Sequence, residues 1–387
     1  MKTPDGNITP AWMTEEHVLL RDASRKFFAA EVVPHIDKWR KQGMVDREIW
    51  PKLGTAGLLG ASVPESYGGS AGDSSHDAVI FLEHAATGDY GLAIRVQVYV
   101  IHYILAYGTE AQKRQWLPAL IAGEKIAAIA MSEPNAGTDL QAVETYAVKD
   151  GNDYILNGTK TFISNGQISD LICVVCKTDR NERARGISLL ILETEGLAGF
   201  RRGRNLEKIG MKGQDTSELF FENVRVPQAN LLGGEEGKGF GQLMKQLPRE
   251  RLSISLTALA ACDLALRETV AYVKERKLFG KRLMDMQNTR FKLAEVKTKT
   301  EVLRSFLYDC IVRLRNGELD AATASMAKWW STQTQCDIVD ECLQLHGGYG
   351  YMLEYPIAQL YVDSRGQKIY GGANEVMKEV IARSLDA

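Results

Sequence analysis

Glu250 and Arg251 stand side by side at the head of a stretch in which Leu252, Leu256, Leu259, Leu266, Val270 and Val273 recur at spacings of three, four or seven. That is the pattern of a helix buried on most sides, the more so with Ala258, Ala261 and Ala265 widening the apolar face. A carboxylate–guanidinium pair opening such a helix is costly if it is buried. At a surface it is an ordinary helix-start ion pair or dipole partner. Cys173-Val174-Val175-Cys176 has redox or metal spacing, but it lies in an apolar run with no second pair, so core packing is expected. The histidines show no ligand spacing, so His84, His102 and His346 read as structural and no metal site is expected. The chain has no Gly-rich dinucleotide loop after a strand, Walker phosphate loop, zinc-protease histidine pair or serine-hydrolase elbow.

The elements that must position these groups fall into three blocks. The first third reads helical. Thr14 caps a segment running through Val18, Leu19, Phe27 and Phe28 towards Pro34, and Ile49, Trp50 and Leu53 start a short helix closed by Gly57 or Gly60. Pro64 to Gly72 is a loop, helices follow over 75–88 and 91–107, and Thr109…Gln112 is a capping box for a helix ending near Gly123. The middle third is strand-like, at Val143 to Val148, Tyr154 to Leu156, Leu171 to Cys176, Ile187 to Leu192 and Leu219 to Pro227. Asn157-Gly158 predicts a hairpin turn between 153–156 and 159–162. Gly233-Gly234 closes this block. Long helices then run from about 236 and over 288–315, 319–345 and 372–384, which suggests a four-helix bundle.

The expected fold class is therefore α+β: an N-terminal helical domain (1–125), a middle β-barrel-like domain (126–234) and a C-terminal helical bundle (235–387). A length of 387 residues suits two or three domains, and 45% hydrophobic with 25% charged residues excludes disordered and fibrous classes. A net charge of −2 gives no sign of a nucleic-acid partner. No apolar run reaches the ~18 residues of a membrane span. Met1 to Asp5 lack the apolar or Arg-rich character of a signal or transit peptide. Six cysteines scattered through apolar stretches suggest reduced thiols and a cytoplasmic location.

Five segments, in order, resemble the acyl-CoA dehydrogenase family. Ala130-Met131-Ser132-Glu133-Pro134-Asn135-Ala136-Gly137-Thr138-Asp139 is similar to its Ser/Thr-Glu-Pro-x-Ala-Gly-Ser/Thr-Asp signature. Asn157 to Gly166 resembles its second flavin segment, and Ile209 to Thr216 its Gly-Met-x-Gly segment. Arg276-Lys277-Leu278-Phe279-Gly280, followed by Gln287, is similar to its Arg-x-x-Phe-Gly element, and Gln344 to Gly350 to its Gly-Gly loop. The order of domains, helical then β then helical, is also the family's.

The resemblance implies FAD, an acyl-CoA thioester and α,β-dehydrogenation. It assigns Ser132 and Ser164 to the flavin ring edges, Met131 to cofactor binding and Phe162 to the ring face, where most members carry Trp. It assigns Arg276 and Gln287 to the pyrophosphate end, typically of FAD bound mainly by a neighbouring subunit, with Phe279, Gln344, Gly347, Gly348, Ala373 and Glu375 as further cofactor contacts. Read without the resemblance, Phe162 is ordinary strand-end packing, Arg276 a helix C-terminal cation and Glu375 a helix-start dipole partner. Thr138 is assigned to the pantetheine end, Arg251 to the CoA portion, and Tyr370 and Gly371 to the acyl end.

The reaction needs a carboxylate to take the proton next to the thioester carbonyl. Many members supply it from a Tyr-Glu-Gly-Thr segment, but here the residues are Tyr370-Gly371-Gly372-Ala373, and Gly371 holds the base position. Either the chain is a catalytically dead relative or its base comes from elsewhere. The long-chain and isovaleryl types place a Glu just before the Arg of the buried helix. Pro248-Arg249-Glu250-Arg251 matches that pattern, so Glu250 is the expected base. Gly371 would still offer its N–H to the thioester carbonyl and leave space beside the α-carbon. The expected function is dehydrogenation of a saturated, long-chain acyl-CoA to trans-2-enoyl-CoA in fatty-acid β-oxidation. Electron-transfer flavoprotein would be the acceptor, and the chain would assemble as a homotetramer through its bundles. The alternatives are a branched-chain or isoprenoid acyl-CoA dehydrogenase, an oxygen-using acyl-CoA oxidase-like enzyme, and a non-catalytic binding protein of the same fold.

Overall fold

The computed structural model describes residues 10–386; Met1 to Asp5, read above for a leader, lie outside them. Six helices come first: α1 (Glu15–Glu31), α2 (Ile36–Gln42), α3 (Ile49–Thr55), α4 (Ser74–Ala85), α5 (Ile94–Tyr107) and α6 (Glu110–Ile121). Capping boxes start three of them. Thr14, Asp73 and Thr109 each exchange hydrogen bonds with a residue three positions on, respectively His17, His76 and Gln112. Helix α5 is apolar on nearly every face and carries Tyr99 and Tyr103 inward, both buried.

Seven strands form one sheet: β1 (Ala127–Ala130), β2 (Tyr146–Asp150), β3 (Asp153–Ser164), β4 (Leu171–Lys177), β5 (Ile187–Glu193), β6 (Phe200–Asn205) and β7 (Thr216–Pro227). Their order is β1-β4-β2-β3-β7-β6, with β5 antiparallel to β4. β4 and β5 are buried almost throughout, which is why they read as continuous apolar runs rather than alternating ones. Cys173 and Cys176 lie inside β4, and burial pushes the Cys176 thiol up to about 12, so the pair is core packing.

Two expectations need correction here. Asn157-Gly158 is not a hairpin turn, because β3 runs through it without a break; the turn is Gly151-Asn152, between β2 and β3. Gly158 sits where the β3–β7 register shifts, and a Cβ there would lie 2.3 Å from the Thr145 hydroxyl. Close approach, not a turn, requires this glycine. The second correction concerns Glu250 and Arg251. They do not open a helix, since α7 (Gly239–Glu275) is a single 37-residue helix that passes through Pro248, and the pair lies well inside it. The helix-start reading of Glu250 therefore fails.

After α7 come a short ribbon of β8 (Lys277–Leu278) and β9 (Lys281–Arg282), then α8 (Gln287–Arg315), α9 (Ala321–His346), α10 (Pro356–Ser364) and α11 (Asn374–Arg383). Helices α2 and α10 and strands β1, β6, β8 and β9 were not anticipated from the sequence. One core joins α7, α8 and α9 with α4 through Leu252, Leu256, Leu303, Leu307 and Ile338; a second joins α5 and α6 to β4 and β5. Among the described residues, no helix is long and apolar enough to cross a membrane.

Candidate active site

Glu250 is 6% exposed, and its carboxylate accepts a hydrogen bond from the Tyr103 hydroxyl on α5 at 2.9 Å. Burial pushes its pKa up to about 7, against the smaller opposing pulls of the Tyr103 hydrogen bond and the Arg251 charge. A carboxylate tuned to neutrality in this way exchanges a proton readily at neutral pH. Tyr99 frames the same turn of α7: its hydroxyl meets the Ser253 hydroxyl and reaches the Glu250 carbonyl oxygen at 3.4 Å. Arg251, also buried, donates from Nη1 to Ser325 at 3.1 Å, and its Nε has no partner.

The segment after α10 closes on this level of α7. Gly371 (φ +67°) and Gly372 (φ +96°) form two successive left-handed residues, a conformation that favours glycine. A Cβ at Gly371 would come within 2.3 Å of Ile254 Cδ1, one turn beyond Glu250. The space expected beside Gly371 is therefore filled by Ile254. The Gly371 N–H makes no hydrogen bond among the described residues. Tyr370 is half-buried against the bundle core beside Arg95, which donates to Thr257 of α7. Lys328 of α9 holds the turn from below. It is fully buried and donates to the Gly372 carbonyl at 2.6 Å and to Asn374 Oδ1 at 3.1 Å. Burial, and then the nearby Arg251, bring its pKa down to about 7.

A second cluster lies on the sheet. Lys160 of β3 is fully buried, and its ammonium donates to Glu133 at 2.7 Å and to the Met131 carbonyl at 3.0 Å. Glu133 also accepts the N–H groups of Glu144 and Thr145. Burial opposes ionisation of Glu133, but the Lys160 charge and these hydrogen bonds outweigh it and hold the carboxyl below its usual range. With Thr161 N–H donating to the Ser132 carbonyl at 2.9 Å, the ion pair welds the segment after β1 to the end of β3. Phe162 then sits at a register shift between Lys160 and Ile163, with φ +60° and 69% of its surface exposed. The bulge aims a large ring out of the sheet, a strained arrangement that ordinary strand-end packing does not explain. The hydroxyls of Ser132 and Ser164 have no partner among the described residues. A bare aromatic ring at the same strand end as two free hydroxyls fits the flat, polar-edged ring of a flavin.

The remaining predicted cofactor residues are elsewhere. Arg276 follows α7, exposed, with its guanidinium 5.7 Å from the Tyr349 ring. Phe279 is 89% exposed in the ribbon turn, Gln287 opens α8, and Gln344 lies near the end of α9. A Cβ on Gly347 or Gly348 would meet nothing within 4 Å, so this surface is open to a ligand. At 1.5 Å per residue, α7 separates Arg276 from Glu250 by about 39 Å. Arg276 thus lies far along α7 from the predicted base. Ala373 and Glu375 lie at the start of α11, with Glu375 exposed in its first turn, and Thr138 is exposed in the loop after β1. The sequence reading missed Lys328 and the Lys160–Glu133 pair. Lone lysines within helical or alternating patterns carry no signal that separates buried from surface positions.

The sequence matches three family descriptions in order: "Acyl-CoA dehydrogenase, N-terminal domain" over residues 14–124, "middle domain" over 128–224 and "C-terminal domain" over 237–385. It is 50% identical to the long-chain specific acyl-CoA dehydrogenase, mitochondrial, of Mus musculus, over 96% of this chain and 87% of that protein. The fold is similar to the crystal structure of an acyl-CoA dehydrogenase from Geobacillus kaustophilus, with a TM-score of 0.95 and 46% identity over 98% of this chain and 100% of that one. It is also similar to a glutaryl-CoA dehydrogenase from Mycobacterium smegmatis in complex with FADH2, at TM-score 0.90 and 28% identity over 96% of this chain and 95% of that one.

Replacing Lys160 by Met leaves Glu133 as a buried, unpaired carboxylate. We expect a loss of about 3–5 kcal/mol in thermal or denaturant unfolding, together with a fall in flavin content on purification. Full flavin occupancy in Lys160→Met would show that the ion pair does not organise the flavin face.

Proposed function

We propose, since this chain belongs to the acyl-CoA dehydrogenase family, that it oxidises a long-chain saturated acyl-CoA with Glu250 as the catalytic base. It is a flavin-dependent oxidoreductase acting on acyl-CoA, and its cofactor is FAD. The observation that carries the base assignment is a buried carboxyl with a pKa of about 7, hydrogen-bonded to Tyr103, while Gly371 leaves the other family position without a carboxylate. Bound FAD supplies the acceptor for a hydride leaving the β-carbon. Glu250 takes the α-proton on Oε1 or Oε2, and the Tyr103 hydroxyl steadies the carboxylate through the exchange. The free N–H of Gly371, held in its turn by Lys328, is offered to the thioester carbonyl, where negative charge develops as the proton leaves. Arg251 serves the CoA portion. The 50% identity to a long-chain enzyme supports the long-chain preference and a role in fatty-acid β-oxidation.

Phe162, Ser132 and Ser164 would hold the flavin ring. Arg276, Gln287 and the Gly347-Gly348 loop would serve the pyrophosphate end of FAD held mainly by a neighbouring copy, which the separation of about 39 Å along α7 supports. We therefore keep a homotetramer, with electron-transfer flavoprotein as acceptor. The six unpaired cysteines favour a reducing, cytoplasmic setting.

Anaerobic titration of the yellow protein with short, long and methyl-branched saturated acyl-CoAs should bleach the flavin fastest with a long straight chain. Fastest bleaching by a branched thioester would transfer the assignment to that substrate class. Glu250→Gln should retain flavin and lose about 10²–10⁴-fold in reduction rate. In the unsubstituted enzyme kcat/KM should rise with pH through about 7, as the base loses its proton. The same group has a stability signature. Its folded pKa, about 7, lies above the ordinary 4.5, so its contribution to stability is full below pH 4.5 and is lost as pH rises through 7. Glu250→Gln should flatten that slope, by on the order of 3 kcal/mol across the window. Parallel stability–pH curves for the two proteins would contradict the buried-carboxyl account.

A further inference from the structure

Immediately beside Glu250 lies a second buried charge cluster that the proposed reaction does not use. Asp77 of α4 is 5% exposed, and its Oδ2 accepts from the Ser62 hydroxyl at 2.6 Å, from His102 Nε2 at 3.1 Å and from Arg249 Nη1 at 3.2 Å. His102 Nε2 is also 3.3 Å from the Arg249 guanidinium. The cluster and the base share two pairs of neighbours. His102 and Tyr103 are consecutive on α5, and Arg249 and Glu250 are consecutive on α7. The first member of each pair, His102 and Arg249, meets Asp77, and Tyr103 meets the Glu250 carboxylate.

We propose that Asp77 is a positioning residue for the base: it anchors Arg249 on the α4 side of α7, away from Glu250, and so fixes the level at which Tyr103 meets the carboxylate. The inference rests on the reading of Glu250 as base.

The charge arrangement makes this testable. The groups that face Glu250 are Tyr99 and Tyr103 from α5, Cys173 from β4 and Arg251 on its own helix. Burial pushes both tyrosine hydroxyls and the Cys173 thiol upward, so they stay neutral at working pH. Burial and the Arg249 charge together keep the His102 imidazole neutral, although Asp77 pulls the other way. Arg251 is the cation that acts on the carboxyl, and Arg249, the preceding residue of α7, is turned to Asp77, its own buried anion. Burial alone would work against ionised Asp77, but its hydrogen bonds and the His102 and Arg249 contacts hold it below the usual carboxylate range. Arg249 and Asp77 therefore cancel as a pair, and Glu250 keeps the elevated proton affinity its burial confers.

Remove Asp77 and the cancellation ends. In the FAD-loaded enzyme, Asp77→Asn should lower the acidic limb of the kcat/KM–pH profile by about one unit, because an uncompensated cation beside a carboxyl favours its charged form. Arg249→Gln should move the limb the opposite way, since Asp77 is then the uncompensated charge. The Asp77→Asn/Arg249→Gln double variant should return it close to the unsubstituted value. An unmoved limb in the single variants, with only a lower unfolding temperature, would reduce Asp77 to a structural brace and overturn the proposal. If Asp77→Asn does not fold, the upward shift in Arg249→Gln carries the test, and its absence is equally decisive. Glu250→Gln, run alongside, separates the two levels of inference. Substantial activity there would sink the base assignment itself, whereas an inactive Glu250→Gln with unmoved limbs in the Asp77 and Arg249 variants would sink only this one.

Discussion

A carboxylate inside a helix that is buried on nearly every side can be satisfied in few ways, and the elements around Glu250 are arranged by that constraint. Desolvation alone would keep the group protonated. A full ion pair would make it a poor base by holding it charged. The neighbours fall between these limits. Tyr103 supplies a neutral hydrogen bond. Arg251 is drawn towards Ser325, and Arg249 towards Asp77. Helices α4, α5 and α9 each bring a polar anchor to the same two turns of α7, and the apolar core continues above and below them. The packing of these helices keeps one carboxyl dry without committing it to a charge.

The sheet meets a related requirement by different means. It must present a flat apolar face and free hydrogen-bonding groups at one edge, although strand chemistry tends to bury the first and pair the second. A buried Lys160–Glu133 pair ties the end of β3 to the segment after β1, and the register shift beyond Lys160 turns Phe162 outward into a left-handed conformation. The strain in that residue is held by the ladder on either side, where Lys160 and Ile163 pair with β7. An ion pair is a fitting anchor here because breaking it strands a buried charge, which makes the local geometry close to all-or-none.

How much of this the sequence disclosed depended on whether a feature is local. Capping boxes are local, and Thr109 with Gln112 starts α6 as the spacing predicts. Periodicity identifies α7 as buried, but it cannot locate the start of a helix whose first turns face partly outward, so Glu250 looked terminal when it is internal. Asn157-Gly158 has the chemistry of a turn and was overruled by tertiary pairing, since β7 holds β3 straight through it. The buried lysines were illegible for the same reason. Lys160 and Lys328 are defined by what surrounds them, and their partners lie 27 and 44 residues away in the chain. Gly371 was recognisable as a departure from the family pattern, but the side chain that fills the gap, Ile254, could be found only in three dimensions.

The length of α7 also sets how far apart the groups along the bundle lie. The helix must be long to serve as the axis of the bundle, and that length places Arg276 about 39 Å from Glu250. The exposed groups around Arg276, Phe279 and Gly347 therefore lie at the far end of the bundle from Glu250. There the ring of Phe279 is exposed and the surface over Gly347 and Gly348 is open. On this argument a single helix imposes two conditions at once: its buried middle raises the proton affinity of Glu250, and its length sets the groups around Arg276 far from that carboxyl.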